Sequence, residues 1–81
     1  MERYHFNIED GQAFQDREGT SLPSLKEARV EAAKILAQTL AAKADEFWQT
    51  ERMEVNVTDG SGLTLFSVYV SARDAAALKR S

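Results

Sequence analysis

Hydrophobic and polar residues alternate along two stretches of the chain, as they do in a β-strand that is buried on one side. The hydrophobic positions are Tyr4, Phe6 and Ile8 in residues 3–8, and Met53, Val55 and Val57 in residues 53–58. Each stretch therefore predicts a strand that turns one face to a core and the other to water.

Residues 63–70 are predicted as a further strand, which carries hydrophobic side chains on both sides. One side consists of Phe66, Val68 and Val70, and the other contains Leu63, Leu65 and Tyr69. We expect the first side to meet the core because no polar residue interrupts it. Leu65 and Tyr69 are then left on the opposite face of the sheet, where hydrophobic side chains prefer to be covered.

Turns that contain glycine connect these strands into two β-hairpins. Asp10-Gly11 predicts a turn after the first strand, and residues 12–16 are expected to return as a short second strand around Phe14. The polar residues 16–20 predict a loop. The sequence Asp-Gly-Ser-Gly at residues 59–62 predicts the second hairpin turn.

The sequence Ser-Leu-Lys-Glu at residues 24–27 is typical of a helix N-terminus, because the Ser24 hydroxyl can accept a hydrogen bond from the Glu27 amide. A hydrophobic stripe at helical spacing follows, made of Leu25, Ala28, Ala32, Leu36, Thr39, Leu40 and Phe47. The pattern predicts one amphipathic helix of about five turns, continuous over residues 25–44. We expect the chain to turn soon afterwards, so that Trp48 caps the core.

Together these elements predict an α+β domain with two layers in the order β-β-α-β-β. The mostly antiparallel sheet has four strands, and one long helix covers one of its faces. Residues 1–81 form a single small domain, in which residues 72–81 are a frayed tail or a short helix. The pattern leaves the order of the strands open.

Charge and composition narrow the classes of function. Ten Lys and Arg residues against thirteen Asp and Glu residues give a formal net charge of -3, which disfavours binding to nucleic acid through net charge. The chain contains no cysteine and opens without an apolar leader or a lipidation signal. We therefore expect a cytoplasmic protein that does not associate with a membrane.

The side chains in the sequence do not specify a reaction. His5 is the only histidine, so it lacks a second imidazole for a metal site and a thiol to activate. If Gly19 is set at the sixth position of a calcium-binding EF-hand loop, Phe14 and Leu25 occupy positions that need carboxylates. Gly60-Ser61-Gly62 leads into a strand rather than a helix, so it predicts a turn and not a phosphate-binding loop. We expect no catalytic residue, cofactor or metal, and we predict that the protein is not an enzyme.

Several sequence motifs are spread over nearly the whole chain. They are Arg3-Tyr4-His5-Phe6, the Asp10-Gly11 turn, the Asp-x-Glu-Gly-x-x-Leu-Pro loop at residues 16–23, and Glu54-Val55-Asn56-Val57-Thr58-Asp59 through Gly62. With these motifs the chain resembles a family of short alphaproteobacterial proteins of unknown function, a resemblance that implies no activity. More distantly, Glu18-Gly19, Leu22-Pro23 and Glu27-Ala28 resemble HicB-type antitoxins, which place a similar loop before a helix on a small sheet.

These observations favour a non-enzymatic protein–protein interaction module that works as a symmetric homodimer, because a small core gains much from association. The candidate interface on the uncovered face of the sheet consists of Leu65, Tyr69, His5 and Arg3. The alternative function is an antitoxin-like regulator that binds a small toxin partner.

Overall fold

The structure, a computed structural model, describes residues 1–79 of the chain, in which three strands are followed by two helices, two strands and a short helix. The elements are β1 (Glu2–Glu9), β2 (Ala13–Phe14), β3 (Thr20–Leu22), α1 (Leu25–Ala42), α2 (Ala44–Thr50), β4 (Arg52–Thr58), β5 (Thr64–Ser71) and α3 (Ala76–Lys79). The predicted α+β class, with an antiparallel sheet and one long helix, is confirmed. The predicted tail over residues 72–81 contains the short helix α3, while Arg80 and Ser81 lie outside the described residues.

The sheet has five strands rather than the four predicted. Its order is β2-β1-β4-β5, and β3 pairs with β1 as well. Every pairing is antiparallel: β1 meets β3 over residues 2–4, β4 over residues 5–9, and β2 over residues 8–9. The two hairpins therefore join through their first strands, and β5 lies at one edge of the sheet.

β3 begins at Thr20, the last residue of the predicted loop, and continues through Ser21 and Leu22, which were not predicted as a strand. Gly19 turns the chain just before it with a φ of 73°, which L side chains rarely adopt. A Cβ atom at this position would lie 2.9 Å from the carbonyl oxygen of Tyr4, so glycine lets the chain come close to β1. Ser21 then pairs with Arg3. Alternation does not indicate this strand because three residues are too few to establish a period.

α1 begins where the sequence predicts. Ser24 is the N-cap, and its hydroxyl accepts a hydrogen bond from the Glu27 amide at 3.4 Å. The helix ends at Ala42 rather than at residue 44, because the Lys43 backbone leaves the helical region with φ -118° and ψ 33°. The Lys43 amine binds the Asp10 carboxylate at 3.0 Å, which ties the α1–α2 junction to the turn after β1. No helix among residues 1–79 is long and apolar enough to cross a membrane.

The core lies between α1 and one face of the sheet. Its buried cluster consists of Tyr4, Phe6, Ala28, Ala32, Val55 and Val57, with Phe66 and Val68 packed against it. Ala28 and Ala32 are fully buried, and their small side chains let the helix lie close to the strands. The faces predicted by alternation in β1, β4 and β5 are the faces that pack.

Trp48 does not cap the core, so that prediction was wrong. α2 continues through this residue, which buries Phe47 and leaves 57% of the Trp48 surface exposed. The Trp48 ring meets the Phe47 ring edge-on, with their centroids 5.7 Å apart. The prediction failed because it assumed that helical structure ends before residue 48.

The chain is elongated, with principal extents of 53, 22 and 22 Å. Its Cα radius of gyration is 14.7 Å, whereas a compact chain of this length has one of about 12 Å.

Candidate functional site

We call the face of the sheet opposite α1 the outer face. Alternation places on it Arg3, His5, Asn7 and Glu9 of β1, Arg52, Glu54, Asn56 and Thr58 of β4, and Ser67, Tyr69 and Ser71 of β5. Opposed residues form rows across the strands, such as Glu9, Glu54 and Tyr69. Most of these side chains are polar, so the outer face is largely hydrophilic.

The two hydrophobic residues of the candidate interface both belong to β5 and are both exposed. Tyr69 is 57% exposed and Leu65 is 39% exposed. Tyr69 lies in the regular part of the ladder, directly across from Glu54. The register passes from Val57–Phe66 to Thr58–Thr64 and skips Leu65, so Leu65 lies at a β-bulge. The exposed large hydrophobic side chains of the outer face therefore both lie on β5, whereas Phe14 of β2, which is 45% exposed, pairs with Ile8 on the α1 side of the sheet.

Tyr69 is held in place by its neighbours on β4. The guanidinium carbon of Arg52 lies 4.2 Å from the centroid of the Tyr69 ring, which is a cation–π distance. The same guanidinium binds the Glu54 carboxylate at 3.2 Å. The exposed ring is thus held in a defined orientation by residues of the neighbouring strand.

Arg3 and His5 lie on the outer face but do not join Leu65 and Tyr69, because β4 separates β1 from β5. Two strand spacings put β1 and β5 about 10 Å apart. The Arg3 guanidinium donates to the carbonyl oxygen of Glu18 at 2.7 Å. The His5 Nδ1 lies 2.8 Å from the carbonyl oxygen of Asp16, which can only accept, so Nδ1 carries the proton in this contact. Both side chains hold the loop between β2 and β3.

Asp16 closes the edge of β1 where β2 has ended and β3 has not begun. Its carboxylate accepts hydrogen bonds from the Phe6 amide at 3.1 Å and from the Gly19 amide at 3.0 Å. Its own amide donates to the Asn7 side-chain oxygen at 2.9 Å. This role is not predictable from local sequence because Phe6 and Asn7 are distant from Asp16 along the chain; the signal that the sequence carries is an Asp three residues before a Gly.

The outward edge of β5, in contrast, has no strand beside it within residues 1–79. The Ala72 amide donates to the Glu51 carbonyl at 2.9 Å, one step beyond the last pair of the β4–β5 ladder. In such a strand the N–H and C=O groups of one residue point to the same edge, and those of the next residue point to the opposite edge. The N–H and C=O groups of Ser67, Tyr69 and Ser71 therefore face away from β4.

The composition of β5 leaves this edge unprotected. Residues 64–71 contain no charged residue, no Pro and no Gly, although charges, Pro and bulges are the usual means of protecting an exposed edge. Only the bulge at Leu65 interrupts the strand, and it lies near one end. One edge of the sheet thus consists of the short strands β2 and β3 with Asp16 between them, and the other is the long, uncharged strand β5.

A shallow depression of about 450 Å³ lies on the outer face, lined by Asn7, Glu9, Glu54 and Asn56 among others. Glu9 and Glu54 are directly opposed, so two carboxylates meet on neighbouring strands. Arg52 neutralises one of them. Across residues 1–79, no three His, Cys, Asp or Glu side chains are grouped closely enough to hold a metal ion.

Asp59 organises the exposed turn between β4 and β5. Its carboxylate accepts from the Ser61 hydroxyl at 2.7 Å, the Ser61 amide at 2.9 Å and the Leu63 amide at 3.0 Å. The Ser61 hydroxyl, followed by the Leu63 amide, lowers the pKa of Asp59 below its ordinary value. The predicted hairpin turn is therefore fixed by an acidic side chain as well as by glycine.

Comparison with known protein families identifies the family of this chain. The model of a family described as "Domain of unknown function (DUF6894)" matches residues 3–71, which run from the start of β1 to the end of β5. No curated protein matches the chain, and no solved structure matches it.

Proposed function

Since the chain belongs to this family of domains of unknown function, we propose that it is a non-enzymatic protein–protein interaction module that works as a homodimer. The observation that carries the proposal is the placement of two exposed hydrophobic side chains, Leu65 and Tyr69, on an uncharged strand at the edge of the sheet. Aromatic anchors that are already oriented are typical of protein interfaces.

The polar members of the candidate interface, His5 and Arg3, lie at its border. His5 and Arg3 make hydrogen bonds to the backbone of residues 16–18, so their part is to shape the border of the surface. The Nδ1–H group of His5 is thus used to hold this loop. Binding energy is then concentrated on β5.

Sedimentation equilibrium of the parent chain and of single variants tests the proposal. We expect a concentration-dependent dimer in the parent and a dimer at least about tenfold weaker in Tyr69→Asp and Leu65→Asp, since a charge replaces a contact at the interface. The matched control is Trp48→Asp, because Trp48 is as exposed as Tyr69 but lies on α2. A monomeric parent, or a dimer that only the Trp48 variant weakens, would contradict the proposal.

The second candidate function is an antitoxin-like regulator that binds a small toxin. The opposed carboxylates of Glu9 and Glu54 favour it, because Arg52 compensates the charge of only one of them and the remaining negative charge attracts a basic partner. The test is to examine the genes beside those of several family members for a short open reading frame that encodes a basic protein. Its absence from all of them would remove this candidate.

A further inference from the structure

We propose that β5 pairs edge to edge with β5 of a second copy, antiparallel and with Tyr69 on the twofold axis. This inference rests on the proposed function, since it names the contact by which the module associates with itself. It joins the two five-stranded sheets into one continuous sheet with α1 of both copies on the same side.

The backbone of β5 determines this register. The outward-facing N–H and C=O groups in the regular part of the strand belong to Ser67, Tyr69 and Ser71. With Tyr69 on the axis, Ser67 of each copy faces Ser71 of the other, and Tyr69 faces its own equivalent. All of these groups then form about six backbone hydrogen bonds. A twofold axis at Ser67 would instead draw in Leu65, which lies at the bulge.

The side chains fit the same register on both faces of the sheet. On the outer face the exposed Tyr69 rings become cross-strand neighbours. On the α1 side Val68 of each copy lies opposite Val70 of the other, and both residues are half-buried in the single chain. Aromatic and β-branched side chains are favourable as cross-strand pairs. The contact therefore covers Tyr69 and the edge of β5 from Ser67 to Ser71, and Leu65 lies at its border.

A second copy fits this edge because β5 carries no charge. The chain has a net charge of -3, so two copies repel each other over much of their surface, but residues 64–71 add nothing to that repulsion. The edge of β1 is already occupied by β2, β3 and the Asp16 carboxylate. β2 and β3 are two and three residues long, and edge strands this short offer little backbone for pairing. β5 is therefore the one long edge strand of each copy, and pairing through a twofold axis at β5 stops at the dimer.

Cysteine crosslinking tests this register without background, because the chain contains no cysteine. Opposed residues of a hydrogen-bonded pair have Cα atoms about 5.5 Å apart, which is within disulfide range. We expect the double variant Ser67→Cys/Ser71→Cys to form a covalent dimer under mild oxidation. The single variants are the matched controls: each cysteine lies four residues along the strand from its equivalent, about 13 Å away. They should remain uncrosslinked on a non-reducing gel.

The alternative outcomes separate this inference from the proposed function. A covalent dimer of Ser67→Cys alone would put the twofold axis at Ser67 and overturn the register. A dimer in sedimentation equilibrium that no cysteine variant crosslinks would overturn edge pairing and leave the interaction module standing. A parent chain that is monomeric throughout would overturn both. Far-UV circular dichroism of each variant checks that the fold is retained, as we expect because Ser67 and Ser71 are both exposed.

Discussion

Replacing Asp16 with alanine tests how the closed edge of the sheet is built. The variant removes the carboxylate that accepts from the Phe6 and Gly19 amides at 3.1 and 3.0 Å. A hydrogen bond to a charged group contributes about 1.5 to 3 kcal/mol. Asp16 is only half-buried, so water replaces part of each hydrogen bond in the variant. We therefore expect the free energy of unfolding to fall by about 3 kcal/mol, the lower end of the range for two such bonds. This is a large share of the free energy of unfolding of a domain of this size, about 4 to 12 kcal/mol.

Urea denaturation followed by far-UV circular dichroism measures this loss. With a slope of about 1 to 1.5 kcal/mol per molar urea, the midpoint should fall by about 2 M or more, at the same protein concentration as the parent. Asp16→Asn retains one acceptor oxygen and should lose about half as much. The matched control is Glu18→Ala in the same loop, because Arg3 binds the backbone carbonyl of Glu18, which the substitution keeps.

The result that would refute this reasoning is an Asp16→Ala variant as stable as Glu18→Ala. Water would then satisfy the Phe6 amide as well as the carboxylate does, and the edge of β1 would not depend on Asp16.

Three further predictions concern local geometry and pH. Gly19→Ala should lower the free energy of unfolding by about 1 to 3 kcal/mol, measured by thermal unfolding, because Gly19 has a positive φ and an added Cβ would lie 2.9 Å from the Tyr4 carbonyl oxygen. The control is Gly60→Ala, which should change the free energy of unfolding by less than about 0.5 kcal/mol because nothing lies within 4 Å of the added Cβ. Ala32→Leu should lower the free energy of unfolding by about 1 to 3 kcal/mol, because the larger side chain overpacks a fully buried position. If urea denaturation showed this variant to be more stable than the parent, α1 would not be closely packed on the sheet. Because Asp59 has a lowered pKa, its contribution to the stability of the fold is complete above the ordinary carboxylate pKa of about 3.9 and is lost as the pH falls through the lowered value. The difference in the free energy of unfolding between the parent and Asp59→Asn should therefore shrink from pH 5 to pH 2. A difference that stays constant would show that Asp59 does not act through its charge.

Much of the fold could be predicted because its elements carry strong local periods. Alternation identified the buried faces of β1, β4 and β5, and the Ser24 cap located the start of α1. β3 and the end of α1 were not predictable in this way, since they depend on distant contacts. Gly19 packs against Tyr4, and Lys43 binds Asp10.

The candidate site could be predicted only in part for the same reason. The sequence identified Leu65 and Tyr69 as residues that point away from the core side of their strand, because that follows from a two-residue period. It grouped them with His5 and Arg3, whose hydrogen bonds to residues 16–18 are non-local. That β5 lies at an edge depends on strand order, which alternation within single strands does not encode.

The elongated shape of the chain affects how its mass is measured by chromatography. Retention on a size-exclusion column depends on the Stokes radius, and an extent of 53 Å against 22 Å makes that radius larger than a globular standard of equal mass would have. A single copy therefore elutes ahead of its true mass and resembles a heavier species. Calibration against globular standards would overstate the degree of association, whereas sedimentation equilibrium gives a mass that does not depend on shape.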